Sequence, residues 1–293
     1  MNKTELDPNT ENAILIQGLG FTDGNLESPI NLDISFMKVI NLTPLEWVNI
    51  DVTPRKLKIT NTGHTVILSA TWDTERPYLT GGPLKGSYVF SQLHFHWGEN
   101  EMNGSEHSID GASMPMELHV VFFKSDYEKF DLALRRIDGI IVVVYFFKLR
   151  NEPNQFIHDI LKHLSVIQVA NSSVRIMPSK LTNIVRPFNQ DYFLYWGSMR
   201  VQTSESKILW IINREPIGVS VEQVAPFRTL LNEKNVPILS NVREVKERGG
   251  RSIFHVCPSG STYASLLPLP RDLPSIKPEG TVQSKNDTIN TNI

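Results

Sequence analysis

Three histidines in this sequence are spaced so that they could bind one metal ion. His94 and His96 lie two residues apart in the run 92–98, and His119 lies in the run 116–121. Both runs are rich in apolar residues, as β-strands are, and residues two apart in a strand project from the same face. Two antiparallel strands would therefore bring all three imidazoles to one point. Three imidazoles with an open fourth position are typical of a catalytic zinc site.

Two polar residues lie on the same predicted strand faces as these histidines. Gln92 precedes His94 by two residues, and Glu117 precedes His119 by two residues. Histidines that bind a metal usually donate their second ring N–H to an acceptor, so Gln92 and Glu117 are predicted to be those acceptors. A single His in an apolar strand is more often a structural residue. The prediction of zinc therefore depends on the combination of His-x-His with Glu-x-His.

The elements that must position these residues are mainly strands. Short apolar or alternating runs separated by Gly, Pro and Asn predict strands and turns over residues 28–123. The continuous apolar run 140–147 predicts a strand that is buried on both faces. Capping-box patterns predict helices from Ser125 toward Arg136 and after Ser220, and a 3.6-residue apolar period predicts a helix over 153–164.

Composition excludes several classes of protein. The net charge of −2 argues against nucleic acid as a partner, and no apolar run is long enough to span a membrane. The N-terminus does not resemble a signal peptide, and the single Cys257 cannot form an internal disulfide. Both observations favour the cytoplasm. Several Asn-x-Ser/Thr triplets favour the alternative of a secreted protein, whose signal peptide would then be missing from this chain.

The composition also changes along the chain. Residues 1–23 are mostly polar and are expected to form a loose lead-in, and one folded domain is expected over 24–257. Residues 258–293 are rich in Pro, Ser and Asn and lack a core-forming period, which predicts disorder. A Pro-rich docking peptide is the alternative for this tail.

Several segments resemble the α-class carbonic anhydrases. The strongest are 93–98 (Leu-His-Phe-His-Trp-Gly), 104–107 (Gly-Ser-Glu-His) and 117–119 (Glu-Leu-His). Weaker counterparts are 27–32, 61–64, 81–84, 195–198, 210–212 and 215–217. Together they cover roughly residues 24–256. The resemblance implies a mainly β (α+β) single domain, built on a large, twisted, mostly antiparallel sheet with short peripheral helices.

The resemblance also implies an activity and roles for individual residues. A zinc-bound hydroxide would hydrate CO₂ reversibly to bicarbonate and a proton, with the small-molecule substrate bound by a monomer. His64 corresponds to the residue that carries the proton out, and Glu106 to a buried carboxylate that orients the nucleophile. The apolar substrate pocket corresponds to Val121, Val142, Met199, Val201 and Trp210.

One position departs from the family pattern. Where the family has a Thr that accepts a hydrogen bond from the hydroxide and donates one to Glu106, this chain has Arg200. Arginine has five N–H donors and no acceptor, so it cannot replace that Thr. Arg200 is expected either to pair with Glu106 or to turn out toward the cleft. Activity is expected to be reduced in both cases.

Three functions remain open from the sequence. The favoured one is a carbonic anhydrase with altered kinetics, because all three histidines are present together with Gln92 and Glu117. The second is a zinc-binding relative with weak or no activity that serves as a binding or scaffold protein. The third, a zinc hydrolase for another substrate such as an ester, is less supported.

Overall fold

Most described residues belong to one large β-sheet. The computed structural model describes residues 7–21, 24, 26–201 and 204–257, apart from the side chains of residues 200, 201 and 204. The predicted tail 258–293 lies outside the described residues. The helices are Pro8–Leu19 (α1), Phe130–Ala133 (α2), Gln155–Leu161 (α3) and Val221–Val224 (α4). The strands are Asn31–Leu32 (β1), Lys38–Ile40 (β2), Leu45–Val48 (β3), Lys56–Asn61 (β4), Val66–Thr71 (β5), Tyr78–Gly81 (β6), Tyr88–Trp97 (β7), Ser108–Ile109 (β8), Met116–Lys124 (β9), Ile140–Leu149 (β10), Ser173–Ile176 (β11), Tyr192–Val201 (β12), Ser204–Asn213 (β13), Ile217–Val219 (β14) and Phe254–Val256 (β15).

The main sheet has 13 strands, and its central order is β11-β4-β5-β7-β9-β10-β13-β12-β15-β2. Strand β14 pairs with β10, while β6 pairs with β3 and β7. Most neighbours are antiparallel, but β10 runs parallel to β13 and β14, and β15 runs parallel to β2. The predicted mainly β single domain with a large, mostly antiparallel sheet is therefore confirmed. No described helix is long and apolar enough to cross a bilayer.

Strand β7 separates a hydrophobic core from a polar face. Leu93, Phe95 and Trp97 are buried in the larger core, so the residues between them project to the other side. Phe90 also packs in the larger core, although in a regular strand it would share a face with His94, four residues later. A register irregularity between Phe90 and Gln92 accounts for this, because one extra residue reverses the alternation.

Strand β10 is buried on both faces, as the run 140–147 predicts. Ile141 and Val143 pack in the larger core, whereas Val142 and Val144 pack in a second core on the opposite face. This strand lies directly beside β9, which carries His119. The floor of the candidate site is therefore held by tightly packed strands rather than by loops.

The N-terminal segment contains a helix, so the expectation of a loose lead-in does not hold for residues 8–19. The Asp7 carboxylate accepts hydrogen bonds from the first backbone N–H groups of α1. Ile16 is buried against the larger core, and its carbonyl accepts a 2.7 Å hydrogen bond from Nε1 of Trp196. Gln17 donates a 2.6 Å hydrogen bond to the carbonyl of Pro83.

The predicted helix from Ser125 toward Arg136 is wrong. The chain forms a 3₁₀ turn, Ser125–Tyr127, and then the short helix α2, with Glu128 between them at a φ of 60°. The expected cap at Ser125 is absent because that residue belongs to the turn itself. Asp138 holds this segment instead, accepting hydrogen bonds of 2.6 Å from Lys124 and 2.7 Å from Tyr127.

The other two helix predictions are confirmed, although both helices are short. The N-cap of α3 is Asn154, whose side chain accepts a hydrogen bond from the backbone N–H of Ile157. The capping box of Ser220 and Gln223 begins α4, which continues into a 3₁₀ turn that ends at Thr229.

Candidate metal centre

The pairing of β7 with β9 brings the three predicted histidines together. His94 lies directly opposite His119, and His96 lies opposite Glu117. The centroids of the three rings are 4.5–5.1 Å apart. One ring nitrogen from each His lies within 4.8 Å of the other two. Strand alternation and antiparallel pairing therefore produce the cluster that the spacing predicts.

The outer nitrogen of each ring has a hydrogen-bond partner. Nδ1 of His94 is 3.1 Å from both the oxygen and the nitrogen of the Gln92 amide, and Nε2 of His119 is 2.6 Å from Oε1 of Glu117. Nδ1 of His96 is 3.2 Å from the backbone carbonyl oxygen of Asn241. A carbonyl or an ionised carboxylate can only accept, so the outer nitrogens of His96 and His119 carry the protons, and that of His94 does so when the Gln92 amide presents its oxygen. The lone pairs are left on Nε2 of His94, Nε2 of His96 and Nδ1 of His119.

These residues fit a zinc ion. Nε2 of His96 is buried without a hydrogen-bond partner among the described residues, which a metal bond would satisfy. Burial, with the neighbouring rings, holds the pKa of His94 well below its usual 6.5. Burial also lowers the pKa of His96 to about 4, although the Glu106 charge opposes this shift. Neutral imidazoles are the form that binds zinc.

Glu117 connects the cluster to the protein interior. Its Oε1 is 2.6 Å from Nε2 of His119 and 2.7 Å from Nδ1 of His107, and its Oε2 accepts from the backbone N–H of His107. Burial acts to raise the pKa of Glu117, but the two histidines outweigh it and hold that pKa well below 4.5. The hydroxyl of Tyr195 is 2.7 Å from Nε2 of His107 and 3.0 Å from Oγ of Ser28.

Glu106 is fully buried, and Arg243 is bound to both of its oxygens. Nε and Nη2 of Arg243 donate hydrogen bonds of 2.8 Å and 2.6 Å, and the Arg243 backbone N–H donates a third of 3.2 Å. Burial acts to raise the pKa of Glu106, but His96 and the Arg243 hydrogen bonds outweigh it and lower the pKa to about 2. Glu106 is therefore ionised at neutral pH.

Comparison with known proteins identifies the family of this site. A family model described as eukaryotic-type carbonic anhydrase matches residues 18–257. The chain belongs to the eukaryotic-type carbonic anhydrase family.

Curated relatives agree with this assignment. The chain is 33% identical over 236 residues to carbonic anhydrase 1 of Oryctolagus cuniculus, covering 78% of this chain and 98% of the relative. It is 35% identical over 239 residues to carbonic anhydrase 3 of Sus scrofa, covering 78% and 89%. It is 37% identical over 193 residues to carbonic anhydrase 3 of Homo sapiens, covering 63% and 72%.

The predicted proton carrier, His64, is exposed to solvent. His64 lies in the turn before β5, and its backbone carbonyl accepts a 3.0 Å hydrogen bond from Nδ2 of Asn241. The same Asn241 binds the backbone of Phe95 and Trp97, and its own carbonyl binds His96. One residue thus ties the His64 turn to the strand that carries two of the three histidines.

Four of the five predicted pocket residues lie in the second core, beside the cluster. Val121, Val142 and Trp210 are buried there, and Met199 packs against them. The Trp210 ring centroid is 5.1 Å from that of His119. The side chain of Val201 lies outside the described residues.

The structure leaves the predicted role of Arg200 open. Its backbone lies in β12 opposite Glu205, but its side chain lies outside the described residues. From the sequence, Arg200 is expected either to pair with Glu106 or to turn out toward the cleft. Arg243 pairs with Glu106, so Glu106 is bound whatever the position of Arg200.

Sequence reasoning missed Asn241 and Arg243. Both lie in an irregular segment between α4 and β15, where no period marks a buried face. Their partners are 145 and 137 residues away in the sequence. The resemblance at 104–107 includes His107 but implies no role for it.

Replacing Glu117 by Gln should weaken zinc binding by about 10–100-fold. Its Oε1 lies within hydrogen-bond distance of both His119 and His107, and a neutral amide oxygen is a weaker acceptor than a carboxylate. Competition with a chromophoric chelator would measure the change. The control is Glu244→Gln, because the Glu244 side chain is 82% exposed. Equal zinc affinities for wild type and Glu117→Gln would contradict this role.

Proposed function

We propose that this protein is a zinc-dependent carbonic anhydrase that hydrates CO₂ reversibly to bicarbonate. Family membership supports this chemistry in general. The observation that supports it for this chain is the cluster of three imidazoles, whose outer nitrogens all have partners. Bound there, zinc would lower the pKa of a water molecule to about 7 and so supply the nucleophile at neutral pH.

The residues of this chain have separate roles in the proposal. His94, His96 and His119 hold the metal, and Gln92, Glu117 and the Asn241 carbonyl fix the orientation of their rings. Neutral ligands leave the full double charge on the ion, which favours loss of a proton from water.

The substrate would bind on the apolar side of the centre. Val121, Val142 and Trp210 are buried apolar side chains of the second core, the Trp210 ring lies beside that of His119, and Met199 packs against this core. Such apolar surroundings suit a small molecule without a net charge or dipole, whereas bicarbonate loses hydration there. This difference favours release of the product.

Glu106 would act by remaining an ionised acceptor near the centre. Its Oε1 is 3.3 Å from Nδ1 of His96, and Arg243 neutralises its charge. Because Arg243 occupies both oxygens, this carboxylate has less capacity left to accept a further hydrogen bond. Together with an Arg at position 200, this supports a rate that is reduced relative to the family.

The alternative function is a zinc-binding relative that is weakly active or inactive. The same two arginines favour it, since neither can accept a hydrogen bond from the nucleophile.

The location in the cytoplasm and the monomeric state stay predictions. Size-exclusion chromatography with light scattering would test the second, and a dimer mass would contradict it.

Stopped-flow CO₂ hydration on zinc-quantified protein tests the proposed function. Wild type should accelerate hydration above the buffer rate, and His119→Ala should lose both the zinc and the acceleration. The exposed His158 provides the control, because His158→Ala removes an imidazole far from the cluster in sequence. If zinc-loaded wild type did not accelerate hydration, the proposed enzymatic activity would be contradicted and the inactive zinc-binding relative would be favoured.

His64 is proposed to carry the proton from the centre to solvent. It is exposed, and histidine is the side chain best suited to exchange protons with solvent at neutral pH. His64→Ala should slow hydration in weak buffer, and added imidazole should restore the rate. An unchanged rate in weak buffer would show that the proton leaves by another route.

Arg200→Thr should raise the hydration rate by at least about 10-fold, or roughly 1.4 kcal/mol in the barrier. Threonine restores an acceptor for the nucleophile, and a misplaced catalytic hydrogen bond commonly costs about 10²-fold. The double variant Arg200→Thr, Val201→Thr should do no worse. A wild type near the diffusional ceiling, unchanged or slowed by Arg200→Thr, would contradict this account.

A further inference from the structure

A second group of metal-binding side chains lies four positions along the sheet from β9. Asp191 immediately precedes β12, His255 lies in the middle of β15, and Cys257 immediately follows β15. All three are buried, with 4%, 2% and 5% of their surface exposed. Strands β10, β13 and β12 separate them from His119 in the sheet order. They are therefore not part of the centre described above.

The strand register explains why these residues meet. Phe193 of β12 lies opposite His255, and Tyr192 lies opposite Val256, so the next residue back, Asp191, faces Cys257. His255 and Cys257 are two residues apart and share a face. The arrangement repeats that of the metal centre, with two donors in alternation on one strand and a third donor on its antiparallel neighbour.

The three donor atoms converge on one another. Oδ2 of Asp191 is 3.3 Å from Sγ of Cys257 and hydrogen-bonded to Nε2 of His255. Sγ of Cys257 is 3.5 Å from Nε2 of His255 and 3.7 Å from its Nδ1. Zinc held tetrahedrally at 2.0–2.3 Å places such donors about 3.3–3.6 Å apart. The sulfur is at that distance from Oδ2 and Nε2 but almost as near to Nδ1, so binding requires the His255 ring to turn toward the ion and its hydrogen bond with Asp191 to break.

The types and arrangement of the three donors decide between two roles for this group, a base-activated thiol and a metal site. A thiol activated by a base needs the imidazole between the thiol and the carboxylate, but here the thiol contacts the carboxylate directly. Thiolate, imidazole and carboxylate are all zinc ligands, whereas calcium and magnesium prefer oxygen. We propose that Asp191, His255 and Cys257 form a second, structural zinc site that joins the start of β12 to the end of β15.

The site would act on stability rather than on the reaction. Strand β15 pairs with only three residues of β12 and three of β2, so it is a short element near the edge of the sheet. Zinc at its C-terminal end would hold this strand, and Cys257 after it, against β12. Occupancy would therefore change the unfolding temperature while leaving hydration per loaded three-histidine centre unchanged.

Cobalt substitution of the full-length protein tests the proposal. Cys257 is the only cysteine among the 293 residues, so a thiolate-to-cobalt charge-transfer band can come only from this site. Wild type loaded with Co²⁺ under reducing conditions should show that band. Cys257→Ser should lose it, and the matched histidine control, His158→Ala, should retain it.

Zinc analysis supplies the second measurement. Wild type should retain one more equivalent of Zn²⁺ after gel filtration than Cys257→Ser, with equal CO₂ hydration per loaded three-histidine centre. A wild type without the cobalt band and with the zinc content of Cys257→Ser would overturn the proposal. The band is read on wild type, so misfolding of a variant cannot obscure it. It also does not depend on activity, so failure of the proposed function is a distinguishable result.

Discussion

The register between β7 and β9 places His94 opposite His119, and everything at the candidate centre depends on it. Side chains alternate along a strand, so a slip of one residue would exchange the faces on which the histidines and the apolar residues of β7 lie. Burial of Phe95 and Trp97 in the larger core opposes such a slip, since exposing either ring would cost about 1.5–3 kcal/mol or more. The hydrophobic face of β7 thus fixes the position of the face that carries His94 and His96.

The second constraint is the cost of burying charge. Glu106 and Glu117 are fully buried carboxylates, which is tolerated only when each oxygen is hydrogen-bonded. Glu117 meets this need with His107 and His119, and Glu106 meets it with Arg243. These bonds orient a ligand in one case and neutralise a charge beside His96 in the other. The hydrogen bonds that stabilise these two buried carboxylates are therefore the same contacts that arrange the candidate site.

The sequence predicts the parts of the site that depend on short spacing. Strand alternation alone connects His94 with Gln92 and His119 with Glu117, and the apolar run of β10 identifies the strand beside them. Asn241 and Arg243 could not be predicted in the same way, because their partners are more than a hundred residues distant. Their segment is fixed by contacts that only the folded sheet provides.

The errors in secondary structure have a similar cause. The pattern at Ser125 is a valid local helix signal, but Asp138 binds Lys124 and Tyr127 and holds the chain in a turn. Helix α1 was not expected because residues 1–23 are mostly polar, and its one buried residue, Ile16, is fixed by Trp196, 180 residues later. In both places, a partner outside the segment overrode the local propensity.

Anomalous diffraction at the zinc absorption edge, on crystals of the zinc-loaded protein, tests the central claim most directly. We expect an anomalous peak bonded to Nε2 of His94, Nε2 of His96 and Nδ1 of His119 at about 2.0–2.1 Å. The contacts of the outer nitrogens with Gln92, Asn241 and Glu117 should be retained. A peak bonded through any of those outer nitrogens, or no peak among the three rings, would contradict it.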